Sequence, residues 1–380
     1  MRKKLFLLGG IILGLWMSQL FLASSLSDQK IDKQGELIVV HNPEKPQPIN
    51  GWKTRVRLLE ELVIGLNQDQ TDGWFASLND IAVDKAGHIY TLDPKDVKIR
   101  VFDAQGELIR TFGRRGQGPG ELQGPGSIRI WPNGRIVIFD VLLQRFNIFD
   151  KKGNFQRSIK AERLPIGVVK LDSRGNIYQA QITREPPQSE TIRLVRYDSS
   201  LNQKVIYHTQ TRKIERRVLS LYSPGYYFDL SDDDYFFWIF SPQYVVHIVD
   251  PQGKIIKKII RQYKPRPIDR REKTKLMKKW AFRLKGLPPS VKIKFPDFYP
   301  AASGLLVDDA KRIYIRTGEE EKDGRIYYDV FDFEGRYFTR FSLPPEEEVK
   351  AVKNDCLYCL IKEGESGWPL VKRYRLDWKL

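Results

Sequence analysis

A two-element pattern recurs six times along the chain, and copies of so small a unit must stack on one another to bury their faces. The first element is a short apolar strand entered through a tight polar turn. It reads Gly87-His88-Ile89-Tyr90-Thr91-Leu92, Gly134-Arg135-Ile136-Val137-Ile138-Phe139 and Gly175-Asn176-Ile177-Tyr178. Weaker copies are Asp234-Tyr235-Phe236-Phe237-Trp238, Lys311-Arg312-Ile313-Tyr314-Ile315 and Asp355-Cys356-Leu357-Tyr358-Cys359. The unit is about 40–45 residues, with longer steps before Phe236 and Ile313. The second element is an alternating strand closed by Asp, two residues and Gly, as in Val101-Phe102-Asp103-Ala104-Gln105-Gly106 and again at 148–153, 248–253 and 330–335. Asp198 and Asp377 hold the same place without the Gly. The Asp side chain accepts from the backbone two residues on, and the Gly tolerates positive φ. One more strand follows, such as 108–112, so each unit is four antiparallel strands.

Six such units pack without long free edges when they stack radially. The last unit reaches Leu380 on its third strand, and residues 56–65 have the pattern of the missing outer strand. The expected fold is therefore all-β: a six-bladed β-propeller of four-stranded antiparallel blades, closed by an N-terminal strand, with one helical insertion. An earlier strand at 36–40, before a Pro-rich link, is expected as an added edge. The units resemble NHL-type repeats of the TolB-like six-bladed β-propellers over residues 36–380. The loop Phe112-Gly113-Arg114-Arg115-Gly116-Gln117-Gly118-Pro119-Gly120-Glu121-Leu122 is similar to a stretch found in secreted bacterial members. The resemblance implies the fold; it leaves function open among lyases, lactonases, peptidase accessory domains and binding modules.

A four-stranded meander sends alternate connections to opposite faces. The tight turns and the Asp-x-x-Gly turns share one face, which reads as scaffold. The other face receives the long connections: 113–126, 181–191, 209–224, 262–303, 317–325 and 361–368. Long loops on a rigid ring are where binding resides, so Arg114 and Arg115 are candidate anion ligands there. Residues 254–294 hold sixteen Lys and Arg against Asp269 and Glu272, nearly the whole of the chain's +17. Within them Asp269-Arg270-Arg271-Glu272 reads as a helix start and Gly286 as its stop. Leu276, Met277, Trp280, Ala281 and Leu284 form an apolar stripe expected to pack on the propeller. Lys273, Lys275, Lys278, Lys279 and Arg283 form a basic face. Lys275, Lys278, Lys279, Trp280 and Arg283 are candidate ligands for an anionic glycan, a lipid surface or an envelope protein.

Other chemistries read as turns or core. Cys356 and Cys359 lie on one strand, about 10 Å apart and on opposite faces, which suits neither a disulfide nor zinc. The 113–126 glycines precede a strand rather than the helix N-terminus a phosphate loop needs. Asp232-Asp233-Asp234 falls in a tight-turn slot. His88 is expected to be exposed and inert. Trp368 and Tyr226 are placed in loops, where they could stack on sugars. No cofactor or metal is expected, and the chain is expected to be a monomer.

Arg2-Lys3-Lys4, an uncharged apolar run at 5–22 and the small residues Ala23-Ser24-Ser25 form a secretory signal. Residues 1–25 are read as a signal peptide cleaved after Ser25 or as an uncleaved inner-membrane anchor; residues 26–380 are the propeller, with its basic helical insertion at about 263–300. Either way the propeller is exported, periplasmic or extracellular, which argues against nucleic acid as the partner of the basic segment. The expected function is an exported, non-catalytic binding propeller that works through its long-loop face. The alternative is a lyase- or lactonase-like enzyme with its site at the channel mouth.

Overall fold

Each copy of the repeat forms one antiparallel sheet. Blade 1 is Asp80–Val83, Ile89–Asp93, Lys98–Phe102 and Leu108–Phe112; blade 2 is Pro125–Ile130, Ile136–Asp140, Arg145–Phe149 and Phe155–Lys160. Blade 3 is Gly167–Leu171, Ile177–Glu185, Ser189–Tyr197 and Gln203–Lys213. Blade 4 is Tyr226–Leu230, Phe236–Phe240, Val245–Val249 and Ile255–Arg261; blade 5 is Ala302–Val307, Ile313–Glu320, Ile326–Phe331 and Tyr337–Leu343. Blade 6 has Glu348–Lys353, Cys356–Ile361 and Leu370–Asp377, and takes its outer strand, Arg57–Ile64, from the N-terminal side of the chain. The result is the expected six-bladed propeller. This computed structural model describes residues 29–49, 56–66, 75–161, 167–185, 188–364 and 367–378. The expected export signal at 1–25 lies outside them. Among the described residues no helix is long and apolar enough to cross a membrane.

Alternation along the strands puts apolar side chains between neighbouring blades. Tyr90 and Leu92 of blade 1 pack on Ile128, Ile136 and Ile138 of blade 2. The same contact closes the ring, where Ile64, Leu360 and Val371 of blade 6 meet Ile81, Ile89 and Phe102 of blade 1. The turns behave as their residues dictate. Asp103 Oδ1 accepts from the N–H groups of Gln105 and Glu107, each at 2.9 Å, and Gly106 follows at φ +88°. Where the Gly is missing, Leu201 takes the same place at φ +63°, a conformation L-residues adopt at some cost.

The earlier N-terminal strand is Leu37–Asn42, and it is an added edge as expected. It runs parallel to Ile255–Arg261 and carries Lys30–Gln34 outside it, which makes blade 4 six-stranded. Asn42 at its end is buried between blades 4 and 5. Its Nδ2 donates to Gly335 O at 2.8 Å, and its Oδ1 accepts from Tyr337 N–H at 2.9 Å. Gln47 N–H then bonds Tyr337 O. The N-terminal arm therefore touches blades 4, 5 and 6 in turn.

Parts of the stretches read as loops are strand, among them 209–213, 218–220 and 317–320. The 181–191 connection is mostly a lengthened hairpin of blade 3, because Ile182, Thr183, Thr191 and Ile192 continue the β-branched pattern past the blade's edge. Glu190 is buried there between Arg184 and Arg212. Tyr226, placed in a loop, begins the inner strand of blade 4; it is buried, with its hydroxyl 2.6 Å from His208 Nδ1. It is core and offers no surface for stacking on a sugar.

Asn42→Ala removes both side-chain bonds from Asn42 to blade 5 and leaves the Gln47 backbone bond. It is expected to destabilise the fold by about 2 kcal/mol, measured as a lower urea midpoint at unchanged slope. A loss under about 0.5 kcal/mol would show that the arm is not held there.

Candidate functional site

The six inner strands surround a central channel with a cavity of about 160 Å³. The residues two before each tight turn line it: Ala82, Arg129, Lys170, Asp229, Leu306 and Ala351. Three of these are apolar, and the other three form one cluster. Lys170 Nζ is 2.5 Å and Arg129 Nη1 3.6 Å from Asp229 Oδ1, while Arg129 Nη2 also donates to Leu230 O and Ser231 O. Asp229 Oδ2 accepts from Val307 N–H of blade 5 at 3.0 Å. On the opposite side Asp80 Oδ2 accepts from Ile128 N–H of blade 2, also at 3.0 Å. Each carboxylate thus ties its inner strand to the next. Burial pushes the Asp80 carboxyl above its ordinary value of 3.8, while Lys350, the Ile128 N–H and Lys170 pull it back.

At the tight-turn end Lys353 Nζ lies 2.6 Å from Asp232, an ion pair that joins blade 6 to blade 4 past blade 5. A shallower depression on the tight-turn face shares these two residues as its boundary. The Asp232-Asp233-Asp234 run is a turn, as its slot implied. It opens at Ser231, and Asp234 stands at φ +65° in the place of the turn glycine. Its carboxylates reach three different blades: Asp232 to Lys353, Asp233 to Lys311, Asp234 to Ser173. This divergence is a fastening device and unlike a calcium cage, in which the oxygens converge.

On the long-loop face the two arginines of the Gly-rich loop already have protein partners. Arg114 Nη2 is 2.5 Å from Glu121 Oε1, although its side chain is largely exposed. Arg115 Nη2 donates to Lys95 O at 2.8 Å. The loop is held from below as well, by Arg145 donating to the carbonyls of Gln117, Gly118 and Glu121. Asp140, fully buried at the end of a second strand, accepts from Gln123 and Gly124 N–H. Asp93 does the same for Ala76 and Ser77 in blade 1. These two aspartates went unrecognised in the sequence, although each directly follows a repeat copy.

The expected helix is present as α1, Arg270–Leu284. Asp269 Oδ1 accepts from Glu272 N–H at 2.8 Å, and Gly286 follows the end at φ +96°. The docked ridge is narrower than the expected stripe. Leu276 is buried, Trp280 and Leu284 are half-buried, but Met277 and Ala281 are exposed. The rest of the docking is polar. Glu272 Oε2 accepts from Arg266 at 3.0 Å and from the Tyr299 hydroxyl at 2.8 Å, and Arg266 also pairs with Glu320. Glu272, the helix's one acid, thus points into the molecule. Arg270, Arg271, Lys273, Lys275 and Lys278 are exposed, and of these only Lys275 pairs with it, at 3.0 Å. The side chains of Lys279 and Arg283 lie outside the described residues. Trp280 meets Tyr222 edge-on, which assigns it to docking.

The remaining motifs are structural. Both cysteines are free, with Cys359 buried, and burial pushes both thiols up. His88 Nδ1 sits 2.8 Å from Asp84 Oδ2 in a turn. His247 stacks on Trp238 at 3.8 Å, and burial pushes its imidazole down to about 3. Trp368 remains exposed on the long-loop face.

Residues 72–259 match the model of the DUF5128 family, described as a 6-bladed beta-propeller. No curated protein matches the chain. Among solved structures it is similar to a Bacteroides fragilis protein provisionally described as exported: 10% identity, 89% of this chain and 99% of that one, TM-score 0.51. A DUF4221-family member from Bacteroides vulgatus is similar at 10% identity, over 86% of this chain and 99% of that one, TM-score 0.50. Virginiamycin B lyase from Staphylococcus aureus is more distant, at 10% identity over 84% and 99%, with a TM-score of 0.43 that carries no argument about chemistry. At these identities the likeness is one of fold: a six-bladed propeller.

Proposed function

We propose that the protein is an exported, non-catalytic binding propeller of the NHL and TolB-like kind, which takes an anionic glycan, lipid surface or envelope partner on its long-loop face through α1. The observation that carries this reading is the polarity of the helix. Its single acid and its buried leucine are used to dock it, and Arg270, Arg271, Lys273 and Lys278 are left facing water. A helix kept only as a lid would gain from mixed charge on its outer face, since like charges spaced three or four residues apart repel. An anionic partner offsets that cost. Export rests on the basic, apolar and small-residue order of residues 2–25.

Arg271, Lys273 and Lys278 make no ion pair among the described residues. Reversing all three to Glu is expected to weaken retention on polygalacturonate or on phosphatidylglycerol vesicles by on the order of 100-fold at low salt, at about 1 kcal/mol per cation removed. Added salt should erase the difference. Equal retention of the variant and the native chain overturns the reading.

One observation favours a channel enzyme instead, namely the buried carboxyl of Asp80 in a channel that also holds Lys170 and Lys350. The first step in that direction is to show that Asp80 titrates high. A carboxyl raised in the folded state stabilises the fold only while protonated, so stability is lost as pH rises from 3.8 through the folded value. Asp80→Asn keeps an acceptor for Ile128 and removes that loss. Its advantage over the native chain should be larger at about pH 7 than at about pH 4, read from urea midpoints. An advantage independent of pH removes Asp80 as the titrating group.

A further inference from the structure

The repeat itself singles out one residue. Three residues beyond Ile89, Ile136, Ile177, Phe236 and Leu357 of the repeat copies stand Leu92, Phe139, Ala180, Ile239 and Leu360 in blades 1, 2, 3, 4 and 6. On the third strand these residues face Ile99, Phe146, Leu194, Val246 and Val371. All are apolar on apolar, and four of the five second-strand residues belong to the cores between blades. In blade 5 the position is Arg316, facing Tyr328, over Gly304 on the inner strand. A Cβ at Gly304 would meet Arg316 Cβ at 3.2 Å, so glycine gives the arginine its space.

A guanidinium in a core slot costs free energy unless a charge partner is present. Arg316 forms no ion pair among the described residues; its Nη1 donates to Ser303 Oγ at 3.0 Å. The buried Tyr328 hydroxyl beside it lies near the Arg316 guanidinium and the Val349 N–H, with neither at full hydrogen-bond geometry. The acids within reach are otherwise engaged, because Glu272 and Glu320 both pair with Arg266.

Arg316 opens onto a groove of about 330 Å³ between α1 and the long-loop end of blade 5, walled by Tyr222, Leu276, Tyr299, Ser303 and Ile326. Tyr222 and Tyr299 meet edge-on with ring centroids 5.4 Å apart. Tyr222 holds its place at φ +53°, a strained backbone for a bulky residue and a kind of strain that collects at ligand sites. The groove has the volume of a single-ring ligand. Aromatic rings suit the C–H faces of a sugar, hydroxyls suit its hydroxyls, and a guanidinium fork suits a carboxylate. An acyl chain would leave the Arg316 guanidinium without a counter-ion.

We propose that this groove binds one carboxylated saccharide unit, with Arg316 as the counter-ion of its carboxylate. This rests on the anionic-partner reading above and narrows it: α1 attracts the polymer and the groove beneath it reads one ring.

The test is calorimetric titration of the full chain with digalacturonate, with its neutral digalactose counterpart and with inorganic phosphate. The native chain is expected to bind digalacturonate and to leave digalactose at least about 10-fold weaker, the value of a charge-assisted contact. Arg316→Leu installs the residue type of blades 1 and 6, so it should fold with an equal or higher urea midpoint and lose about 10- to 100-fold in affinity for digalacturonate. Arg316→Lys should recover part of the loss, because an ammonium lacks the fork. Native-like binding by Arg316→Leu overturns the proposal, as does equal affinity for acid and neutral sugar. Phosphate binding without sugar binding also overturns it, and identifies a plain anion site. The α1 triple reversal separates the two readings. If it abolishes polymer retention while Arg316→Leu binds digalacturonate normally, the surface reading stands and the groove falls. If the triple variant retains the polymer and Arg316→Leu alone loses digalacturonate, the reverse holds.

Discussion

The pairing of Arg57–Ile64 with Leu370–Asp377 is the contact on which the ring depends. Without it blade 6 would have three strands, an exposed edge and a smaller apolar side to offer blade 1, lacking Leu62 and Ile64. The pairing is reinforced at its rim by Lys372 with Glu60, Arg375 with Glu61 and Arg57 with Asp377. Exposed pairs of this kind add little free energy. Their use is in register, since a slip of one residue would turn Leu58, Leu62 and Ile64 to the wrong face.

Blade 5 is the most heavily covered part of the ring. The N-terminal arm crosses its outer edge through Asn42 and Gln47, and the insertion carrying α1 lies over its long-loop end. The start of that insertion is tied to blade 4, and Lys292–Lys294 near its end pairs in parallel with Val218–Ser220 of the connection from blade 3. Gly318 has room for no side chain, because Pro300 O would lie 2.2 Å from its Cβ. A half-buried cation such as Arg316 placed under such cover is partly shielded from bulk water, which raises the strength of whatever pairs with it. The channel differs, because there Arg129 and Lys170 already share Asp229.

The blades, the closing strand and the working of the Asp turns were legible because each follows from strand alternation or from local turn chemistry. Arg316 was also in plain view, one residue beyond the copy Lys311-Arg312-Ile313-Tyr314-Ile315, but its meaning depends on aligning that position across all six blades. The aspartates Asp93 and Asp140 were hidden for a similar reason: their partners, Ala76 and Ser77 or Gln123 and Gly124, are about sixteen residues away in loops without a pattern. The stripe of α1 was overread because apolar spacing cannot show that an acid, Glu272, carries half of the docking. Channel side chains were illegible altogether. Inner strands bear no shared signature, and Lys170 meets Asp229 only once the ring has closed.

The ring-closing pair joins residues as much as 320 positions apart, as Arg57 and Asp377 show. Loop-closure entropy makes such contacts late ones. During synthesis the segment that seals the disc must wait, bare-edged, for a partner made some 320 residues later. An exported chain of this design would cross a membrane unsealed and become resistant to proteolysis only on the far side, all at once, when its two ends meet.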